Sequence, residues 1–164
     1  MVELALNNPE SEEFVQNIGK FIANFGVIEL TIIEICDVLS KDPVLTKLAH
    51  RSLLSRRVDI LKEQIKRSSV AEETKNALLN HLKELKPFIE LRNILAHNPI
   101  TFVFPNADPS QEASIAGILN MRPKDKTKDG EIISIEELRG GVNDTSKIAR
   151  KLREDLDAIQ KVNS

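Results

Sequence analysis

The sequence predicts a mainly α fold: an up-and-down helical bundle of about four to five helices, with a small β-hairpin insertion around residues 100–135. Three observations carry this. Apolar residues recur at three- and four-residue spacing through the long segments before residue 98, the period of helices with one buried face. Beyond Pro99 the pattern changes to the alternation of a strand, in Ile100-Thr101-Phe102-Val103-Phe104. Helical spacing then returns in Ile148, Leu152, Leu156 and Ile159. A chain of 164 residues with 41% apolar content fits one domain, residues 1–164, around a single core.

The first helix is expected from Ser11 to about Leu39. Ser11 suits the N-cap, Glu12 and Glu13 favour the positive end of the helix dipole, and Asp42-Pro43 ends the run. Its apolar stripe, from Phe14 through Phe21, Phe25 and Ile28 to Cys36, is wide enough to face both the bundle and a second surface. Gly19 and Gly26 lie seven apart on nearly one face, where another helix can come close. At about 100° per residue, positions 18, 22, 25, 29, 32 and 36 share a narrow strip, and Glu29 is its one polar residue. A carboxylate there needs a cation, and Arg92 is the matching oddity on the third helical segment. A turn of the helix that leaves Glu29 wet is the other reading.

The second helical region spans residues 43–67 with a break near His50-Arg51-Ser52, and Leu53, Leu54, Val58, Leu61 and Ile65 form its buried face. Ser68-Ser69-Val70 is a turn. The third helix opens at Ala71 or Glu72 and follows Leu78, Leu82, Leu85 and Ile89, with a kink expected near Lys86 because of Pro87. Residues 106–111 read as loop, 114–121 as a second strand, 123–130 as a charged turn and 131–135 as a short third strand. Ser134-Ile135-Glu136-Glu137 matches a capping box, so the last helical region can open there. Gly140-Gly141 is expected to interrupt it before a final helix from Asn143 to Lys161.

Composition narrows the function classes. The single cysteine, Cys36, sits in an apolar helical pattern and reads as a small core residue in a reducing compartment. Residues 1–8 carry no basic region and no long apolar run, unlike a secretory signal. Glu29 and Glu34 interrupt the most apolar stretch, which opposes a membrane span. The cytoplasm is the expected location. No spacing of His, Cys or carboxylates suits a metal, and no Gly-rich phosphate loop or serine elbow is present, so no cofactor or metal is expected. His50 and His81 lie among polar neighbours and read as surface residues.

Net charge is −2, but its distribution is uneven. Residues 1–43 hold 2 basic and 8 acidic side chains, whereas residues 44–92 hold 11 basic and 6 acidic. In the basic stretch Arg51, Arg56, Arg57, Lys62, Lys66 and Arg67 form a candidate RNA-binding face, its alternative being an ordinary solvated helix surface.

The most informative stretch is Glu90-Leu91-Arg92-Asn93-Ile94-Leu95-Ala96-His97-Asn98-Pro99. It sets an arginine, an asparagine and a histidine among apolar residues, so the segment is expected to be largely buried, with its polar groups in need of partners or a task. Pro99 disfavours helical geometry at Asn98, which puts His97 in the last turn.

Arg92, four residues and then His97, with Asn93 after the arginine and a small residue before the histidine, resembles the motif of the HEPN superfamily. The likeness covers roughly residues 10–100 and, more loosely, the C-terminal helix. It implies a HEPN-like helical bundle and a homodimer in which Arg and His from two protomers form a composite, metal-independent ribonuclease site. His97 would be the acid/base, Arg92 the phosphate and transition-state ligand, and Asn93 the residue that positions one of them, with Glu29 in support. RNA would be the substrate, and in a toxin or phage- and stress-defence setting an antitoxin-like protein would be a partner. Other HEPN-like domains act as non-catalytic modules for nucleotide or protein binding, and that is the alternative. One departure is plain: the toxin branch paired with nucleotidyltransferase antitoxins has a tyrosine where this chain has Pro99, and the chain holds no tyrosine. Control by nucleotidylation of that tyrosine is excluded.

Overall fold

The computed structural model describes residues 9–40, 42–98, 100–103, 114–120 and 131–163. Among these residues five helices and three short strands follow in the order α1 (Pro9–Leu39), α2 (Pro43–Arg51), α3 (Leu54–Arg67), α4 (Glu72–His97), β1 (Ile100–Val103), β2 (Ser114–Asn120), β3 (Glu131–Ile133) and α5 (Ile135–Asn163). The protein is therefore mainly helical with a small antiparallel sheet. The expected loop at 106–111 and turn at 123–130 lie outside the described residues.

The chain divides into two compact units, Met1–Ala23 with Glu90–Asn143, and Asn24–Ile89 with Asp144–Ser164. In the first, Phe14 and Phe21 of α1, Ile118 and Ile133 of the sheet and Leu138 of α5 are buried. Arg139 of α5 donates two hydrogen bonds of 2.7 Å to the Glu13 carboxylate. The sheet has strand order β1-β2-β3, all antiparallel, with Ile118 opposite both Ile100 and Ile133. The register shifts between Thr101 and Phe102, and Gly117 stands opposite Thr101 with φ 152°. A Cβ at Gly117 would lie 2.3 Å from the carbonyl oxygen of Ile133, so only glycine fits.

The second unit is a helical bundle. Its buried side chains include Phe25, Ile28, Ile32 and Ile35 of α1, Leu61 and Ile65 of α3, Leu78, Leu82 and Leu85 of α4, and Leu152 and Leu156 of α5. Polar contacts tie the helices at their edges. Asn24 Nδ2 donates to Thr145 Oγ1 at 3.1 Å, Lys151 Nζ to Glu84 at 2.9 Å, and Arg153 pairs with Glu34.

Local chemistry explains most boundaries. The Asp42 carboxylate accepts from the Val44 N–H at 2.8 Å, and Pro43 needs no such acceptor, so α2 begins there. The capping box opening α5 is complete: Glu137 accepts from the Ser134 N–H at 2.8 Å, and Ser134 Oγ from the Glu137 N–H at 3.2 Å.

Three expectations are corrected. Helix α1 starts at Pro9, and Ser11 is buried within its first turn. Leu53 was expected on the buried face of the second region but is 82% exposed, because its extended backbone (φ −61°, ψ 155°) breaks the helical phase between α2 and α3. Gly140-Gly141 does not interrupt α5. Gly141 instead permits close packing, since a Cβ there would lie 3.0 Å from Leu91 Cδ2 and 3.1 Å from Phe21 Cε2.

Candidate functional site

Helix α4 runs unbroken through Pro87 to His97. Its buried residues are Leu78, Leu82 and Leu85, and from there to its end none is buried. The motif segment is thus not the buried strip the sequence suggested. Leu91, Arg92, Ile94 and Leu95 are half-buried, and Asn93, Ala96 and His97 are exposed. Leu91, Ile94 and Leu95, at i, i+3 and i+4, share one half-buried face, and Ala96 is turned away from it.

Arg92 Nη1 donates to Asn93 Oδ1 at 3.5 Å, a long contact that orients the guanidinium without consuming it. Among the described residues Arg92 is in no ion pair, and the His97 ring makes no hydrogen bond. Beyond His97, the Asn98 backbone N–H and its side-chain Nδ2 donate to the Ile94 carbonyl at 3.1 and 3.0 Å, which closes the helix end. The three motif residues therefore stand at one helix terminus, Arg92 half-buried and Asn93 and His97 exposed, with few partners among the described residues. Arg92 and His97, five apart, diverge by about 140° around the helix.

Glu29 does not take Arg92 as its cation. Its carboxylate, 33% exposed, lies 3.6 Å from Arg57 Nη1. Arg57 is the buried cation of the second unit. Its Nε donates to the Ala49 carbonyl at 2.9 Å, and its Nη2 to Ser52 at 2.9 Å and His50 at 3.5 Å. These are carbonyls at the C-terminal end of α2, where helix geometry leaves acceptors unsatisfied and the dipole favours a cation. Arg57 is thus removed from the proposed RNA face by its own burial. The signal was in the sequence: 57, 61 and 64 are at helical spacing with the buried Leu61, so Arg57 points inward with that stripe.

Of the remaining basic candidates, Arg51, Arg56, Lys66 and Arg67 are exposed and Lys62 is half-buried. Lys66 pairs with Glu63 at 2.7 Å, while Arg56 and Arg67 are in no ion pair among the described residues.

The other titratable groups are structural. His50 is exposed and its Nε2 lies 2.8 Å from Asp37. His81, expected at the surface, is mostly buried, with Nδ1 2.7 Å from Asp155 Oδ2. Burial raises the Asp155 carboxyl above its ordinary range against the opposing hydrogen bond from His81. Burial also pushes the Cys36 thiol up to about 12, so it stays protonated and inert. Among the described residues no group of three His, Cys, Asp or Glu can hold a metal ion, and no helix is long and apolar enough to cross a membrane. No family model, curated protein or solved structure matches this chain.

Proposed function

We propose that the chain is a HEPN-like endoribonuclease that cleaves RNA through attack of a ribose 2′-hydroxyl on the adjacent phosphodiester. The observation that carries this is the chemistry at the end of α4: a half-buried arginine in no ion pair and an exposed histidine whose ring makes no hydrogen bond, among the described residues. His97 takes the proton from the 2′-hydroxyl. The 2′-oxygen bonds to phosphorus as the P–O5′ bond breaks, and the protonated histidine returns a proton to the leaving 5′-oxygen, giving a 2′,3′-cyclic phosphate and a 5′-hydroxyl end. Arg92 stabilises the added negative charge on the phosphorane, and Asn93 holds the guanidinium in place. These side chains supply both the proton transfer and the charge stabilisation, so the step needs no metal.

One helix does not converge Arg92 and His97, and a two-fold pair of chains removes that difficulty by facing one copy's arginine with the other's histidine. In the unit that holds the motif, α1 presents Val15 and Ile22, 43% and 42% exposed, around Gly19, which has open space above it. An apolar helix face with a gap at its centre suits a second copy. Arg51, Arg56, Lys62, Lys66 and Arg67 would carry the RNA backbone. A toxin or defence role with an antitoxin-like partner is the setting such chemistry fits.

The test is cleavage of RNA by purified protein in excess EDTA, with His97→Ala and Arg92→Lys alongside. Both variants should lose activity while helicity and dimer mass stay unchanged, because an ammonium cannot reproduce the planar two-point hold on phosphate. Activity that survives His97→Ala overturns the assignment. A folded wild-type dimer that binds RNA without cutting it makes the chain a non-catalytic module.

A further inference from the structure

We propose that the cleft between α2 and α3 is a self-facing contact that seats another copy of this chain, distinct from the pairing through α1 proposed above. Helix α2 carries the first observation. Only Ala49 of its nine residues is buried, while Val44, Leu45 and Leu48 are 73%, 37% and 44% exposed. Leu53, at the head of α3, is more exposed still. Single apolar side chains at a surface are ordinary, but four between Val44 and Leu53 make a cluster of the kind that marks an interface. Leu45 and Leu48 line a cleft of about 270 Å³ against Ile60 of α3, all within the second unit.

The charges on the α3 wall select the occupant. Arg56, Asp59, Glu63 and Arg67 line the cleft with Ile60, and these five positions fall within about 100° of the helix circumference. Two are basic and two acidic. RNA laid into the cleft would meet both carboxylates, and a protein of one charge sign would meet two like charges. A surface carrying both signs suits the row, and the same row on another copy is such a surface. When two antiparallel copies of α3 cross midway between residues 59 and 60, symmetry brings positions 56 and 63 opposite each other twice. Arg56 of each copy then pairs with Glu63 of the other. Among the described residues Arg56 is in no ion pair, and Glu63 has the exposed i,i+3 contact with Lys66 at 2.7 Å, which contributes little. Ile60 lies at the crossing with Leu45 and Leu48 beside it. Asp59 is exposed and about 60° round the helix from Arg56, so the two copies' carboxylates stay at the wet edge, where their repulsion is screened. A second copy and RNA compete for Arg56 and Arg67, but cleavage rests on Arg92 and His97 and does not depend on this contact.

The experiment is sedimentation equilibrium of nuclease-treated protein over a concentration series, read as multiples of the 18.4 kDa chain. With both self-contacts formed, the wild type should reach at least four chains. Val15→Glu combined with Ile22→Glu removes the α1 pairing and should leave the two chains that the cleft holds. Leu48→Glu, at an exposed position, should leave only the two chains that α1 holds. Arg56→Glu and Glu63→Arg should each do the same, because like charges then face each other at both contacts. Mixing these two charge variants should restore the larger mass, since opposite charges meet again at both contacts. If α1 does not pair, the wild type forms two chains and each cleft variant forms one, so failure of the earlier reading is told apart from failure of this one. A wild type that stays a single chain overturns the proposal, as does a mass that none of the three cleft variants lowers. So does a mixture of the charge variants that stays small. A single-chain mass for the α1 double variant also overturns it, and that result needs no cleft variant to fold.

Discussion

Replacing Arg57 with methionine tests the most consequential polar cluster in the protein. The guanidinium serves the carbonyls of Ala49, His50 and Ser52 and stands 3.6 Å from the Glu29 carboxylate. Methionine preserves the buried stem but leaves those acceptors without their charged donor. Hydrogen bonds to a charged group contribute about 1.5–3 kcal/mol each, and removing one partner of a buried charged cluster costs about 3–5 kcal/mol. The bonds act together on one helix end, so a total near the latter range is expected, not the sum of separate bonds. For a chain of this size that corresponds to a fall in Tm of about 6–20 °C. Glu29→Gln should cost about 1 kcal/mol or less, because the carboxylate is one-third exposed and the contact is too long for a hydrogen bond. Urea and thermal unfolding followed by circular dichroism would measure both, with hydrogen exchange at α2 reporting where protection is lost. Equal costs for the two variants, or a loss below about 1 kcal/mol for Arg57→Met, would show that Arg57 does not hold the α2 terminus.

Asp155 should give stability an acid-range pH dependence. Its carboxyl is raised by burial, so the folded state binds its proton more tightly than the unfolded one. That contribution is fully present below the ordinary Asp value and is lost as pH rises through the raised one. Wild type should therefore lose stability relative to Asp155→Asn across that window, as read from urea midpoints; an unchanging difference would remove the linkage. Gly140 and Gly141 form a paired test by thermal unfolding. Gly140→Ala should stabilise α5 by about 0.5–1 kcal/mol, since nothing lies within 4 Å of its Cβ position. Gly141→Ala must displace Leu91 or Phe21, and that overpacking, about 1–3 kcal/mol, offsets or exceeds the same gain. Equal stabilisation by both would show that Gly141 is not needed for close packing.

Features carried by neighbours in sequence were legible. The capping box at Ser134, the Asp42-Pro43 helix start, the break after Arg51 and the alternating strands all follow from residues within a few positions of one another. What the sequence hid depends on residues far apart. Gly140-Gly141 looks like a helix breaker until Phe21 and Leu91 are seen to occupy the space beside Gly141. His81 looks like a surface residue until Asp155 meets it from 74 positions away. Glu29 is expected to meet Arg92 or to lie wet; it is one-third exposed and lies 3.6 Å from Arg57 instead, because spacing along one helix cannot choose between partners on others.

Arg57 and Arg92 show what decides whether a basic side chain is structural or available. Both sit beside apolar residues on a helix, so composition alone treats them alike. Arg57 lies in phase with Leu61 inside the bundle, and the nearest unsatisfied acceptors are the carbonyls ending α2, which take its donors. Arg92 lies on the stretch of α4 from Lys86 to His97 that has no fully buried residue. The contacts of that stretch include Leu91 beside Gly141 and the Asn98 amide on the Ile94 carbonyl. Its residues 88–92, 94 and 95 are half-buried. Its end presents an exposed asparagine and histidine beside a half-buried arginine. Were their role only to stabilise, Arg92→Leu and His97→Leu would leave any RNA affinity unchanged and alter only the melting curve. Loss of RNA binding or cleavage with an unaltered melting curve is the outcome expected of a platform that holds its chemistry outside the core.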